Sequence, residues 1–477
     1  MKVLFAVSEA FPFVKTGGVG DVAFALPQEL IHQGVDVRVI LPLYDVIPEH
    51  YRDRMELLTN FTFKLSYHTM YCGLYRLEYA GVHFYFIEND TYFMRGALGG
   101  FVDDDVRSAF LCRAVCESIR YMHDEMDWTP DIVHCNDWET GLIPFYLRDS
   151  SMRHPERERI KTVFTIHNVE YQGSFSYHSL TDAFGLSGIL FSEGTMELDG
   201  QVNLMKGAME VSDLVTTVSE GYARDLAGSP DAGALGELIS NYKIVGICNG
   251  VHRLLNPADS RLISVNYTAD TIEKKLENKR FLQKKHGLAP ADDAPLMGCV
   301  SRLMERKGFS LMLVVLPEFL KAGAQFVLTG DGDKKILNAL MELKVAYPRQ
   351  VAILPFSEEN EAEIFAGSDL YLMPSRVEPC GTAQLQAMRY GSVPVVHLTG
   401  GLRDTVRLYD AESDEGYAFG FEDYTPEAFA EALRTALGAC RDGDLFKKLA
   451  IRCMEQDFGW EKPAKEYIAR YSALLEQ

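Results

Sequence analysis

The sequence predicts an α/β protein built from two doubly wound domains. Short apolar runs rich in β-branched residues alternate with longer amphipathic stretches, and this alternation occurs twice along the chain. Such alternation is typical of βαβ units with parallel sheets. The length of 477 residues also indicates two domains, because single cores rarely grow beyond about 250–300 residues.

The first set of elements extends to about residue 245. Its strand-like runs are KVLFAV, VDVRVILP, VHFYFI, DIVHCN, KTVFTIH, LVTTVS and YKIVGICNG. Several are almost entirely apolar, as expected of parallel strands covered on both faces. The stretches DVAFALPQELIHQG and DDVRSAFLCRAVCESIRYMHDEM have helical spacing. We therefore predict a first domain over residues 1–245.

The second set begins near Pro295 and ends near residue 440. Its strand-like runs are LMGCVSR, AQFVLTG, QVAILPF, LYLMP and SVPVVHL. The polar, helical segment 256–295 is predicted to open this second domain, which we assign to residues 246–477. The final segment is predicted to be an amphipathic helix. Its apolar stripe consists of Trp460, Tyr467, Ile468, Tyr471 and Leu474.

Composition narrows the class of protein. A formal net charge of −21 argues against nucleic acid and anionic membranes as partners, since both repel an acidic surface. No uncharged run approaches the length of a membrane span. The nine cysteines form no CxxC pair, which argues against a zinc site and favours reduced thiols. We therefore expect a cytoplasmic protein.

The stretch KTGGVGDV follows the first strand-like run and precedes a helix. A P-loop needs its lysine after the glycines, but Lys15 comes before them. The dinucleotide pattern also fails, because Ala23 stands where its last glycine is required. What remains is a glycine turn whose N–H groups and helix dipole suit a phosphate. The alternative is a tight turn with a surface lysine.

Other predicted strand ends of the first half also carry polar side chains. Asp137 and Trp138 follow DIVHCN, a pairing that suits sugar hydroxyls and stacking. A helix-capping aspartate beside a packed tryptophan is the alternative. His167 follows KTVFTI. It can be a functional residue, or a structural histidine whose ring is hydrogen-bonded to neighbouring residues.

The second half repeats this arrangement. Arg302 and Lys307 follow LMGCVS and suit a diphosphate, although a solvated basic turn is the alternative. Glu378 follows LYLMP and suits sugar hydroxyls. Cys380 reads as a small buried turn residue, since no paired base marks it as a nucleophile. Ligands of doubly wound domains bind at strand carboxyl ends, so we predict an interdomain cleft for a phosphorylated sugar.

Five long motifs carry a resemblance to a known family. KTGGVGDVAFALP, TIHNVEYQG, VSRLMERKG, MPSRVEPCG and TGGLRDTV closely resemble the bacterial glycogen synthase and plant starch synthase family. The resemblance implies a GT-B fold of two Rossmann-like domains facing a cleft, with residues 460–477 crossing back to the first domain. It implies a hexosyltransferase that moves glucose from ADP-glucose to the non-reducing end of an α-1,4-glucan with retention. It implies neither a cofactor nor a divalent metal.

The resemblance also implies roles for individual residues. The implied catalytic residues are His167, Arg302, Lys307 and Glu378. The implied donor-binding residues are Lys15, Gly17, Gly18, Asp21, Asp137, Asn249, Phe356, Cys380, Gly381 and Thr382. Among these, Arg302 and Lys307 would neutralise the leaving diphosphate, and Phe356 would lie against the adenine.

The chain departs from the family pattern at several positions. The family usually has His at position 136, Gln or His at 139, Asp at 252, Trp at 255, Leu at 382 and Arg at 397. Here these positions hold Asn136, Glu139, His252, Leu255, Thr382 and His397. The departures leave open a related transferase with another nucleotide-sugar donor or acceptor, or a weakly active glucan-binding protein.

Overall fold

The structure, a computed structural model, describes residues 1–149, 157, 159–252 and 256–476. The chain divides into two compact units. Unit 1 comprises Met1–Val218, Ala223–Asn249 and Trp460–Gln477. Unit 2 comprises Ser219–Tyr222 and Gly250–Gly459.

Unit 1 is built on strands that follow the predicted apolar runs. Its strands are β1 (Lys2–Ala6), β2 (Asp36–Pro42), β3 (Glu56–Leu65), β4 (His68–Tyr79), β5 (Val82–Glu88), β6 (Ile132–Asn136), β7 (Lys161–Ile166), β8 (Ser174–Phe175), β9 (Glu197–Leu198), β10 (Gln201–Asn203), β11 (Leu214–Thr217) and β12 (Ile244–Gly246). Within the described residues the main sheet has the order β12-β11-β7-β6-β1-β2-β5-β4-β3, and β8-β10-β9 form a small second sheet.

The pairing in the main sheet is parallel from β12 to β5, as the apolar runs predict. The antiparallel hairpin of β3 and β4 at its edge was not predicted. Polar residues interrupt the apolar pattern of both strands, and much of β3 is exposed, so neither strand forms an apolar run.

The helices of unit 1 connect these strands. They are α1 (Gly18–His32), α2 (Glu49–Arg52), α3 (Asp90–Phe93), α4 (Asp104–Met126), α5 (Ile143–Arg148), α6 (Tyr177–Asp182), α7 (Ile189–Ser192), α8 (Leu204–Val211), α9 (Glu220–Asp225) and α10 (Ala234–Ile239). The first turn of α9 belongs to unit 2. The helix α4 coincides with its predicted stretch, and α1 begins at Gly18, inside the glycine turn.

Unit 2 has its own sheet, in which all pairing is parallel. Its strands are β13 (Leu296–Val300), β14 (Gln325–Thr329), β15 (Val351–Leu354), β16 (Leu370–Met373), β17 (Val393–His397) and β18 (Phe419–Phe421). Their order is β15-β14-β13-β16-β17-β18. The helices are α11 (Lys275–Lys285), α12 (Phe309–Lys321), α13 (Lys334–Ala346), α14 (Glu358–Gly367), α15 (Ala383–Arg389), α16 (Gly401–Thr405), α17 (Pro426–Cys440) and α18 (Gly443–Met454).

The last helix, α19 (Glu461–Leu475), packs within unit 1. Tyr471 shares a buried hydrogen bond of 2.7 Å with Nδ1 of His134 in β6. Gln33, at the end of α1, donates to the carbonyl of Glu461 at 3.0 Å. Within the stripe, Tyr467 and Tyr471 pack against the His134 ring of the first sheet, and the expected return of the chain to the first domain is confirmed. Across the described residues, no helix has both the length and the apolar character needed to cross a bilayer.

Candidate active site

The predicted site residues of unit 1 follow three neighbouring parallel strands. Lys15 lies in the loop after β1, Asp137 directly follows β6, and His167 directly follows β7. These strands are adjacent in the order β7-β6-β1, so their carboxyl ends share one edge of the sheet. Asn249 comes three residues after the more distant strand β12.

The glycine loop is organised by Glu9, a buried acid that sequence reasoning did not assign to the site. Its carboxylate accepts the N–H groups of Thr16 at 2.7 Å, Gly17 at 3.0 Å and Gly20 at 3.1 Å. It therefore satisfies donors at the start of α1, where a negative charge also meets the positive end of the helix dipole. An acid in the loop between the first strand and the glycine turn is the signal that could have identified it.

Lys15 is held over this loop by Asp21, one of the predicted donor-binding residues. Lys15 Nζ lies 2.7 Å from Asp21 Oδ2, and both side chains are partly exposed. Gly18 has open space beside it, because a Cβ built there would meet no described atom within 4 Å. Gly17 differs from Gly18, since its N–H group is already bound to Glu9.

Asp137 joins the ends of β6 and β7. It has a positive φ of 56°, an uncommon conformation for a residue other than glycine. In that conformation its Oδ1 accepts the backbone N–H of His167 at 2.8 Å. Burial raises the pKa of Asp137. Burial and the charge of Asp137 together raise the pKa of Glu139, two residues further along the chain. The protonated, neutral form of these carboxyls is therefore favoured relative to carboxyls in water.

The ring of His167 is fixed by Asn136, the last residue of β6. His167 Nε2 lies 2.8 Å from Asn136 Oδ1, and both residues are at least nine-tenths buried. Burial lowers the pKa of His167 to about 4, so its imidazole is neutral near pH 7. Asn136, noted from the sequence as a departure from the family, thus touches a predicted catalytic residue.

Asn249 carries a buried side-chain oxygen that is not hydrogen-bonded within the described residues. The residue is 9% exposed, and its Oδ1 receives no hydrogen bond from the described residues. Buried polar atoms are nearly always paired, so an unpaired one is a position where a ligand hydroxyl can bind.

In unit 2 the predicted residues again follow neighbouring strands. Arg302 follows β13 and is exposed, and Lys307 lies in the 3₁₀ turn Glu305–Lys307 before α12. Glu378 follows β16, which pairs with β13. Phe356 follows β15 and is 50% exposed, an unusual exposure for an aromatic side chain.

Lys307 and Glu378 form an ion pair in this loop cluster. Lys307 Nζ lies 2.5 Å from Glu378 Oε2, and Glu378 is 6% exposed. The same oxygen accepts the hydroxyl of Ser375 at 3.0 Å. Ser375, which the sequence did not single out, therefore helps to fix the carboxylate. A carboxylate that accepts hydrogen bonds from both a cation and a hydroxyl keeps a defined orientation.

The turn after Glu378 is shaped by two glycines. Gly381 has a φ of 73°, and Cys380 before it is buried. Gly400 has a φ of 47°, and a Cβ there would lie 2.1 Å from the carbonyl oxygen of Glu378. The loop after β17 can therefore approach the Glu378 backbone only through glycine. Thr382 is the residue immediately before α15.

The remaining departures from the family pattern have different surroundings. His397 Nδ1 lies 2.7 Å from the carbonyl of Ser375, and its Nε2 lies 3.0 Å from that of Glu422. The ring thus braces the loop that carries Glu378. The carbonyl of His252 accepts a hydrogen bond from Arg389 at 3.4 Å. Leu255 lies outside the described residues. No group of three or more potential metal-ligating side chains occurs in the described part of the chain.

Comparison with known proteins identifies the class. Residues 2–241 match the family model for the starch synthase catalytic domain, and residues 280–439 match that for glycosyl transferases group 1. The catalytic domain of starch synthase IV from Arabidopsis thaliana, solved with ADP and acarbose, has a TM-score of 0.91 at 30% identity. That match covers 100% of this chain and 99% of the other. Fold and site together define a glycosyltransferase with the GT-B fold.

Full-length relatives specify the family. A glycogen synthase from Caldicellulosiruptor saccharolyticus is 42% identical and covers 100% of both chains. One from Desulforamulus reducens is 41% identical, covering 100% of this chain and 99% of the relative. The chain belongs to the family of bacterial glycogen synthases and plant starch synthases. A sucrose-phosphate synthase from Thermosynechococcus elongatus, at 16% identity and a TM-score of 0.62, shares the fold.

Proposed function

We propose that this glycogen synthase homologue transfers glucose from ADP-glucose to the non-reducing end of an α-1,4-glucan, with retention at the anomeric carbon. The observation that carries the proposal is the ion pair between Lys307 and the buried Glu378 in the loops after β13 and β16 of unit 2. A cation there can meet a leaving phosphate while the carboxylate holds sugar hydroxyls. The related starch synthase IV, solved with ADP and acarbose, supports this choice of ligands.

The donor groups of unit 2 are assigned to the nucleotide diphosphate. Arg302 and Lys307 neutralise the charge that develops on the leaving group, as a metal ion does in other transferases. The backbone N–H groups of Gly381 and Thr382 donate to phosphate oxygens, and Cys380 contributes its backbone because its side chain is buried. The half-exposed Phe356 stacks on the base.

The groups of unit 1 are assigned to the diphosphate and the transferred sugar. Lys15, held by Asp21, provides a further positive charge. Gly18 allows the closest backbone approach, because the N–H of Gly17 is already bound to Glu9. Asn249 accepts a sugar hydroxyl at its unpaired Oδ1, and Asp137 binds a second one.

The reaction proceeds on one face of the sugar. The bond between C1 and the diphosphate oxygen breaks, and a bond from C1 to the acceptor O4 forms on the same face. The O4 proton passes to the departing phosphate oxygen, which yields ADP. The side chains support this route, because His167 with a pKa of about 4 is a weak base at neutral pH. Glu378, in turn, is held by Lys307.

A radiolabel transfer assay tests the proposal. Glucose from labelled ADP-glucose should enter a glycogen primer, and an α-1,4-specific exo-glucanase should release it again. Lys15→Ala should weaken donor binding by about 1–3 kcal/mol, seen as a higher KM for the donor. Lys64→Ala, an exposed lysine on β3, is the matched control. No incorporation from ADP-, UDP- or GDP-glucose would overturn the proposal.

A second donor is favoured by one observation, the exposure of Phe356. Stacking on an aromatic face is tolerant of the base, since every base offers a π-face. UDP-glucose is therefore the alternative donor. Comparing kcat/KM for the two donors on glycogen distinguishes them. We also propose a cytoplasmic location, supported by nine cysteines that are all free thiols.

A further inference from the structure

We propose that Asn136 is a positioning residue that locks His167 in one tautomer and so presents His167 Nδ1 as a hydrogen-bond acceptor for a hydroxyl of the transferred glucose. This inference rests on the proposed function for its ligand. Asn136 is one of the positions at which the chain departs from the family pattern.

The orientation of the Asn136 amide is fixed by two carbonyl groups. Its Nδ2 lies 3.0 Å from the carbonyl oxygen of Ala6 in β1 and 3.3 Å from that of His134. Carbonyl oxygens only accept, so the NH₂ group must point toward them. The carbonyl oxygen of the amide, Oδ1, therefore faces His167. A flipped amide would lose both bonds and place oxygen against oxygen.

This orientation determines the proton on the His167 ring. Oδ1 lies 2.8 Å from His167 Nε2 and can only accept, so Nε2 must carry a proton. Burial disfavours a second proton, since it lowers the pKa of His167 to about 4. The ring is then neutral, and Nδ1 keeps its lone pair. A histidine at position 136 would not fix the tautomer of His167, because either imidazole could donate the hydrogen bond between the two rings.

The other groups around His167 leave this assignment unchanged. The Asp137 carboxylate accepts the backbone N–H of His167 rather than its ring. His134, buried beneath, has its own ring nitrogens on Tyr471 and Thr165. Burial lowers the pKa of His134 to about 3, so it adds no positive charge near neutral pH.

The remaining nitrogen, Nδ1, is free to meet a ligand. It receives no hydrogen bond from any described residue, yet the side chain sits at the end of β7 with 8% of its surface exposed. A neutral acceptor at this point pairs with a donor such as a sugar hydroxyl. A protonated ring would present N–H instead and lose that bond.

Nuclear magnetic resonance of the ring nitrogens tests the lock directly. In ¹⁵N-histidine-labelled full-length protein, His167 should show a protonated Nε2 and an unprotonated Nδ1 between pH 5.5 and 8. Asn136→Ala should give a mixture of tautomers. Asn168→Ala is the matched control, because that amide accepts from Glu170 N–H in its own loop and does not contact the ring. A protonated Nδ1 in the wild type, or an unchanged tautomer in Asn136→Ala, would overturn the inference.

Transfer kinetics test the consequence. Asn136→Ala should lower kcat/KM about ten-fold, and this loss should vanish in a His167→Ala background because both changes remove the same bond. Equal losses in both backgrounds would overturn the role. If the alanine variant fails to fold, Asn136→His replaces it and should also give a mixture of His167 tautomers, because either imidazole can donate the hydrogen bond between them. A single His167 tautomer in Asn136→His would overturn the inference.

The two proposals fail in different ways. If the wild type transfers no glucose, the proposed function fails, but the ¹⁵N signals of the ring still show whether Asn136 fixes the tautomer of His167. If transfer occurs but the tautomer is mixed, only the role of Asn136 is lost.

Discussion

At the scale of single residues, Glu139 is a buried carboxyl with an unsatisfied atom. Its Oε2 has no hydrogen-bond partner among the described residues, and burial together with the Asp137 charge raises its pKa. The folded protein therefore holds a proton on Glu139 at pH values where the unfolded chain has lost it. Stability consequently falls as pH rises from the ordinary carboxyl pKa of 4.5 toward the raised one.

Glu139→Gln removes this titration while keeping the shape of the side chain. We expect the variant to be more stable than the wild type at pH 8 by on the order of 1 kcal/mol, and equal to it near pH 5. Thermal unfolding at both pH values measures the difference. Glu342→Gln, at an exposed position of α13, should show no such pH dependence. A stability difference that is the same at both pH values would contradict the prediction.

Glu9 supports the glycine loop through hydrogen bonds that no other side chain provides in the described structure. Glu9→Ala leaves the N–H groups of Thr16, Gly17 and Gly20 without their acceptor. We expect a loss of about 1–3 kcal/mol in unfolding free energy and a higher KM for the donor. Urea unfolding and initial-rate kinetics measure the two effects. Glu9→Gln retains one acceptor oxygen and should lose less. Unchanged values in both variants would show that Glu9 does not organise the loop.

At the scale of elements, α19 contacts the first sheet through a buried hydrogen bond between Tyr471 and His134. Tyr471→Phe removes the hydroxyl and leaves Nδ1 of His134 unpaired at a fully buried position. We expect a cost of about 1–3 kcal/mol, or roughly 2–4 °C in melting temperature for each kcal/mol. Differential scanning calorimetry measures it. Tyr67→Phe, on an 82% exposed side chain, is the control and should cost little. A Tyr471→Phe melting point equal to the wild type would indicate that packing alone holds α19.

The elements were predictable where one local signal dominated. The α4 boundaries followed from amphipathic spacing over 23 residues, and the parallel strands followed from apolar runs. The hairpin of β3 and β4 was missed because its exposed face breaks that pattern. Site residues were predicted in the loops that follow the strands. The hydrogen bonds of Asn136 could not be predicted from the sequence. Its partners Ala6 and His167 lie 130 and 31 residues away along the chain, and only the parallel pairing of the strands brings them together.

At the scale of the whole molecule, each unit carries its own sheet and its own buried core. Two cores need not unfold together, so we expect two calorimetric transitions. Tyr471→Phe should lower the melting temperature of the unit 1 transition only. This selective shift identifies which of the two transitions belongs to which unit. The independence of the units would be contradicted by one transition that Tyr471→Phe shifts as a whole.

The proposed diphosphate groups then predict which transition a nucleotide stabilises. Most of the groups proposed to bind ADP, namely Arg302, Lys307, Gly381 and Phe356, belong to unit 2, whereas Lys15 and Gly18 belong to unit 1. ADP should therefore raise the melting temperature of unit 2 by more than that of unit 1. Binding at 100 times Kd contributes about 2.7 kcal/mol, which corresponds to roughly 5–10 °C. Arg302→Ala should reduce the shift, because a cation that meets the diphosphate is lost. Calorimetry over an ADP titration measures both effects. A shift confined to the unit 1 transition would assign the nucleotide to Lys15 and the glycine loop instead.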